Sequence, residues 1–235
     1  MTTNRKAILF DFGDTLVSHL GSKSGMFRWF CDQADVPLPG DPEIVRAAAA
    51  AGWREGMKRV NPADWKDLSW REHVFRAGLT EAGIMEELEG YIGKLMQIKL
   101  PRPTNAVGPN VYRLLGELRE RGYKLGIVSN YYGNLAEALE QTNLAPMFDS
   151  AIDSDVVGLE KPDPRIFRLC CDELEVDPAE AFYVGDMPPY DVDGAIRAGL
   201  RPILLDPCGI WMEAGDYAHI PNIRSLDELA DVFLE

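Results

Sequence analysis

The sequence predicts an α/β protein, a doubly wound parallel sheet into which an all-helical domain is inserted. Three observations predict it. Short apolar runs alternate with helical stretches over most of the chain, as strands buried on both faces of a parallel sheet require. The stretch from about Gly21 to Lys99 is helical in its periodicity throughout, with no convincing strand. Carboxylates and small polar residues gather where the apolar runs end. With 235 residues, 46% of them hydrophobic, the chain has enough apolar material for a substantial core and is too apolar for disorder.

The first run, Lys6-Ala7-Ile8-Leu9-Phe10, ends at Asp11 and is followed by Gly13, a buried strand feeding a loop. Helical periodicity follows around Met26 to Ala34, Pro42 to Val60, Trp70 to Gly78 and Glu81 to Ile98. From Asn110 a helix runs to Arg121, Gly122 stops it, and the strand Lys124 to Val128 ends at Ser129-Asn130. Further strands are read at Ser150 to Ile152, Ala181 to Val184 and Arg201 to Leu205, with a weak last one near Ala218 to Ile223. Helices lie between them at Pro164 to Leu174 and Asp191 to Ala198, and a C-terminal helix opens on Ser225 with Glu228 completing a capping box. The predicted domains are residues 1–17 with 105–235, the sheet, and residues 18–104, the helical insert. A Gly/Ser stretch near residues 18–25 and Pro101-Arg102-Pro103-Thr104 link them.

The net charge of −14 lies outside the insert, since residues 18–104 hold 12 basic and 12 acidic side chains. So acidic a surface disfavours nucleic acid and anionic membranes, whose sequence-independent affinity comes from basic residues neutralising phosphate. No apolar stretch reaches a membrane span, and Asp11 and Asp14 interrupt any leader-like start, so a cytoplasmic location is the default expectation. Cys31, Cys170, Cys171 and Cys208 show no metal-binding spacing and read as buried small groups. A monomer or a homodimer is expected.

Ligands of an open parallel sheet bind beyond the carboxyl ends of its strands. Those ends supply Asp11, Ser129 and Asn130, Lys161, and Gly185-Asp186 with Asp191 close behind. Carboxylates crowded at one edge repel unless a cation joins them, and an oxygen-rich set open to water suits Mg2+. One carboxylate of such a group can attack phosphorus while the metal and a lysine neutralise the transferring oxygens.

Four motifs in order carry a family resemblance: Ala7-Ile8-Leu9-Phe10-Asp11-Phe12-Gly13-Asp14-Thr15-Leu16, then Ile127-Val128-Ser129-Asn130, then Gly158-Leu159-Glu160-Lys161-Pro162-Asp163-Pro164, then Val184-Gly185-Asp186 with Asp191 and Gly194-Ala195. The chain resembles the haloacid dehalogenase superfamily of hydrolases over essentially its whole length, and the insert resembles the cap placed between the first two motifs. The resemblance implies a Rossmann-like core and a Mg2+-dependent phosphatase acting on a small phosphorylated substrate through an aspartyl-phosphate. It implies Asp11 as nucleophile, Ser129 and Asn130 as phosphate-binding donors, and Lys161 as the charge linking nucleophile and substrate. The metal would be held by Asp11, Asp186, Asp191 and the Gly13 backbone carbonyl.

One position departs from the pattern. Phosphatases of this superfamily usually carry a second Asp, a general acid and base, where this chain has Gly13; the Gly usual at the next position is Asp14. Asp14 reaching inward, a cap residue such as His19 or His73, or solvent could replace the missing group. Two alternatives stay open: a metal-independent 2-haloacid dehalogenase, which also lacks that Asp, and a weakly active or regulatory member. Bland readings stand beside these. Asp14 and Ser129-Asn130 could serve only the loops or cap the helix near Gly133, and Trp29, Trp53, Trp65 and Trp70 could simply pack the insert. Arg28, Arg54 and Arg76 could meet anions or sit in exposed ion pairs.

Overall fold

The computed structural model describes residues 6–18, 22–61, 63–64, 66–99, 106–108, 110–211 and 217–233. These fold as two compact units. Strand β1 (Ala7–Phe10) leads to a two-residue strand β2 (Val17–Ser18), and the chain then enters the helical unit: α1 (Lys23–Gln33), α2 (Pro42–Met57), α3 (Arg71–Glu81) and α4 (Leu88–Gln97). It returns through β3 (Ala106–Val107), antiparallel to β2, and continues as α5 (Val111–Glu120), β4 (Lys124–Ser129), α6 (Leu135–Gln141), β5 (Ser150–Asp153), the single turn α7 (Ser154–Val157) and α8 (Pro164–Glu173). Then come β6 (Ala181–Gly185), α9 (Asp191–Ala198), β7 (Arg201–Leu205), β8 (Asn222–Ile223) and α10 (Leu229–Phe233).

The six-stranded sheet has the order β5-β4-β1-β6-β7-β8 and every pairing in it is parallel. From β1 the chain builds outward to β4 and β5, then crosses over and builds the other way. The reversal point lies at the carboxyl end of β1, where an open sheet has its crevice. Strand alternation divides the apolar residues into two layers. Ile8 and Phe10 pack with Leu114, Leu118, Leu139 and Phe233 on one face, and Ala7 and Leu9 pack with Phe167, Cys170 and Ala195 on the other. Burial on both faces is why these strands read as unbroken apolar runs.

In the helical unit α1, α2 and α3 start and end close to the expected positions, but α4 begins at Leu88 rather than Glu81. Gly83, at φ +78°, turns the backbone out of the helical region and separates α3 from α4. Trp53 and Trp70 are buried against each other with ring centroids 5.4 Å apart, so packing accounts for both. Arg76 pairs with Glu72 at 3.0 Å and with Glu89, an exposed ion-pair cluster. Residues 207–211 and 217–218, which the sequence reading leaves with the sheet, fall in this unit, where Arg46 donates to the Cys208 carbonyl at 3.4 Å. His19, Trp65 and Pro101-Arg102-Pro103-Thr104 lie outside the described residues. All four cysteines are buried and free, and no described helix is long and apolar enough to cross a membrane.

Candidate active site

Asp11 follows β1 directly and is 7% exposed. Its Oδ1 accepts from the Ser129 hydroxyl at 2.9 Å and from the Lys161 ammonium at 2.7 Å. Ser129 closes β4, the strand beside β1, so sheet register alone brings the two together. Lys161 comes from the loop between α7 and α8, where its bond to Pro162 is cis. Its ammonium also donates to Asp191 Oδ1 at 2.7 Å and to the Tyr183 hydroxyl at 3.0 Å, which saturates its three N–H groups.

Asp191 is the first residue of α9 and 1% exposed; its other oxygen accepts from the Met187 backbone N–H at 2.8 Å. Gly185 lets it sit there, because a Cβ at that position would lie 2.4 Å from the Asp191 carboxyl carbon. Asp186, next along from Gly185, is 3% exposed. Asp11, Asp186 and Asp191 each offer a carboxylate oxygen, all within 4.8 Å of one another, and no other described group of His, Cys, Asp and Glu meets that test. Burial pushes the Asp11 carboxyl up; Lys161 opposes this, the neighbouring Asp191 charge adds to it, and the net direction is upward. Burial alone would lower the Lys161 pKa, but the Asp11 and Asp191 carboxylates more than reverse it and hold the side chain charged.

These residues fit a hard metal ion. Three buried carboxylates stand beside one ammonium, and the donors are oxygens with no imidazole or thiolate among them, a set that suits Mg2+ or a similar cation rather than zinc.

Asn130 is brought to the same edge, and its side chain bonds the backbone of Lys161. Its Oδ1 accepts from the Lys161 N–H at 2.7 Å and its Nδ2 donates to the Lys161 carbonyl at 3.1 Å, so the amide binds the Lys161 backbone. Ser129 and Asn130 do not cap the following helix. The Asp153 carboxylate at the end of β5 does so, accepting from the backbone N–H groups of Gly133 at 3.2 Å and Leu135 at 3.0 Å. Asp14 has φ 56°, a left-handed conformation that Asp tolerates. Among the described residues its carboxyl takes no hydrogen bond. Gly13 is half-buried, with nothing within 4 Å of where a Cβ would be.

Tyr183 is a member of the site that the sequence does not announce. Inside an apolar run it reads as a core residue, and the only clue is that a buried tyrosine usually bonds its hydroxyl. Here the hydroxyl donates to the Val128 carbonyl at 2.8 Å. Burial first, then Asp191 and Asp11, raise its pKa and keep the phenol neutral.

Comparison with known proteins identifies the family. The sequence profile of haloacid dehalogenase-like hydrolases matches residues 5–199. A phosphoserine phosphatase of Thermus thermophilus is 35% identical over 257 aligned positions, covering 97% of this chain and 98% of the relative. The (S)-2-haloacid dehalogenase 1 of a Pseudomonas species is 30% identical over 127 positions, 53% of each chain. The crystal structure of a HAD phosphatase from Thermococcus onnurineus matches with a TM-score of 0.58 at 26% identity, covering 97% of each chain. A profile match over residues 5–199 and a relative 35% identical over nearly the full length of both chains lead to one assignment: the chain belongs to the haloacid dehalogenase-like hydrolases.

Proposed function

We propose that this hydrolase is a Mg2+-dependent phosphatase that cleaves a small-molecule phosphomonoester through an aspartyl-phosphate on Asp11. The observation that carries the reading is the buried trio Asp11, Asp186 and Asp191 beside a single ammonium, Lys161. A third carboxylate in the group serves no purpose in a metal-free attack on a haloacid, whereas an anionic phosphate ester needs a cation to approach this edge. The T. thermophilus relative, similar over nearly the full length of both chains, is named for phosphoserine, which makes an amino-acid phosphate the first substrate to try.

Asp11 attacks phosphorus, the bond from phosphorus to the leaving oxygen breaks, and that oxygen takes a proton. Water then attacks the same phosphorus, the bond to Asp11 breaks, and inorganic phosphate leaves with the carboxylate restored. Lys161, charged and saturated with hydrogen bonds, steadies Asp11 and balances charge on the transferring oxygens, while Ser129 holds the same carboxylate oxygen from the other strand. Asp11, Asp186, Asp191 and the Gly13 carbonyl would hold Mg2+, which when bound would supply Lewis-acid neutralisation of the phosphoryl group.

The test is turnover of phosphoserine, glyceraldehyde 3-phosphate and p-nitrophenyl phosphate with Mg2+ and with EDTA, using Asp11→Asn as control. Phosphate release that needs Mg2+ and is lost in Asp11→Asn is expected. Wild-type turnover by Asp11→Asn would remove the nucleophile assignment. EDTA-resistant halide release from a 2-haloacid would identify a dehalogenase, and Mg2+ binding with no turnover a regulatory protein.

A further inference from the structure

Tyr183 is fully buried in the apolar layer that holds Leu9, Val128 and Phe167, its ring edge-on to Phe167 at 4.8 Å between centroids. A phenylalanine would fill that space equally well, so packing explains the ring and leaves the hydroxyl to be explained. A buried hydroxyl is unfavourable unless it is bonded. This one lies 2.8 Å from the Val128 carbonyl, 3.0 Å from Lys161 Nζ and 3.2 Å from Asp191 Oδ1. It has a single proton, and the carbonyl at the shortest distance takes it. Its oxygen then accepts from Lys161, which ties the ammonium through the phenol to the backbone of β4, one residue before Ser129.

Lys161 has three acceptors: Asp11, Asp191 and Tyr183. Two of them change during the reaction proposed above, on which this inference rests, since Asp11 becomes phosphorylated and Asp191 would share its charge with the metal. Tyr183 alone keeps its charge and its place. A lysine has four rotatable side-chain bonds, and without a fixed third partner the ammonium would follow Asp191 once the Asp11 carboxylate is phosphorylated. We infer that Tyr183 is a positioning residue: its hydroxyl, anchored on the Val128 carbonyl, holds the Lys161 ammonium between Asp11 and Asp191.

Tyr183→Phe, Lys161→Met and the double variant are compared on p-nitrophenyl phosphate, whose good leaving group keeps slow variants measurable. Tyr183→Phe is expected to lower kcat about tenfold with KM nearly unchanged, and to have no further effect in the Lys161→Met background. An equal loss in both backgrounds would overturn the inference, because the hydroxyl would then act without Lys161. A second measurement needs no turnover and stands whatever the substrate proves to be. Acetic anhydride labelling of metal-free protein, read by peptide mass spectrometry, should modify Lys161 faster in Tyr183→Phe than in wild type, with exposed Lys94 as the internal reference. Labelling of Lys161 at the wild-type rate would also overturn it, whereas retained turnover by Asp11→Asn would sink only the phosphatase reading.

Discussion

Asn130 grips Lys161 by the backbone on both sides of its Cα, accepting from its N–H and donating to its carbonyl. The end of β4 is thereby joined to the loop that carries the lysine, and the ammonium starts from a fixed point. Asn130→Ala removes both bonds, each worth about 1 kcal/mol, and should lower Tm by several degrees. Because the loop carries Lys161, kcat should fall about tenfold or more while KM changes little. Steady-state kinetics decide: a raised KM at unchanged kcat would make Asn130 a phosphate-binding donor instead. Asn130→Asp keeps an acceptor for the Lys161 N–H and should fall between wild type and the alanine variant.

Gly185 matters for what it lacks. An alanine Cβ there would sit 2.4 Å from Asp191 Cγ and 2.8 Å from Asp191 Cβ, and Asp191 has little freedom to retreat, being held by Lys161 and the Met187 N–H. Gly185→Ala should therefore displace the carboxylate, at a stability cost of about 1–3 kcal/mol. Mg2+ affinity, measured by calorimetric titration, should weaken about tenfold or more. Unchanged affinity would mean that Asp191 is not a metal ligand.

The sheet was legible because its strands are buried on both faces, which leaves apolar runs most of whose ends can be located to within a residue or two; Asp11 and Asp186 stand just beyond such ends, Ser129 closes β4, and Lys161 and Asp191 follow further on, in the loop before α8 and at the start of α9. Less legible was what a side chain does once there. Asn130 could be assigned to the edge, but whether its amide faces a ligand or the Lys161 backbone depends on a loop thirty-one residues further on. Tyr183 was hidden because its ring obeys the apolar pattern and only its hydroxyl departs from it. Strands β2 and β3, two residues each, are too short to show any period. The start of α4 was misplaced because Gly83 is tolerated in a helical pattern and only its left-handed backbone reveals the break.

Asp153 offers a test of stability apart from chemistry. It is 6% exposed and accepts from the N–H groups of Gly133, Leu135 and Asp155, securing the loop after Ser129-Asn130 to β5. Asp153→Ala leaves three backbone donors to find other partners in a largely buried place and should destabilise by about 2–4 kcal/mol, seen as a lower urea midpoint. Asp153→Asn retains one acceptor oxygen and should lose less. Equal losses in the two variants would show that the charge, rather than the number of acceptors, is what the loop requires.

The order Gly13-Asp14 is the reverse of the pattern usual in phosphatases of this superfamily, and the backbone favours exchanging the two. Gly13 has no left-handed φ, and the space where a Cβ would stand is open to 4 Å, so an aspartate fits there without a clash at its first carbon. Asp14 occupies a left-handed conformation at φ 56°, where glycine is at ease. Gly13→Asp with Asp14→Gly should thus fold as well as the parent or gain up to about 1 kcal/mol. If Gly13 marks a missing proton donor, the exchange should raise kcat on esters with poor leaving groups such as phosphoserine by about 10² or more, and much less on p-nitrophenyl phosphate, whose leaving group needs no proton. Equal gains on both substrates would point to better metal or phosphate placement, and no gain on either would mean that proton transfer is already supplied by another group.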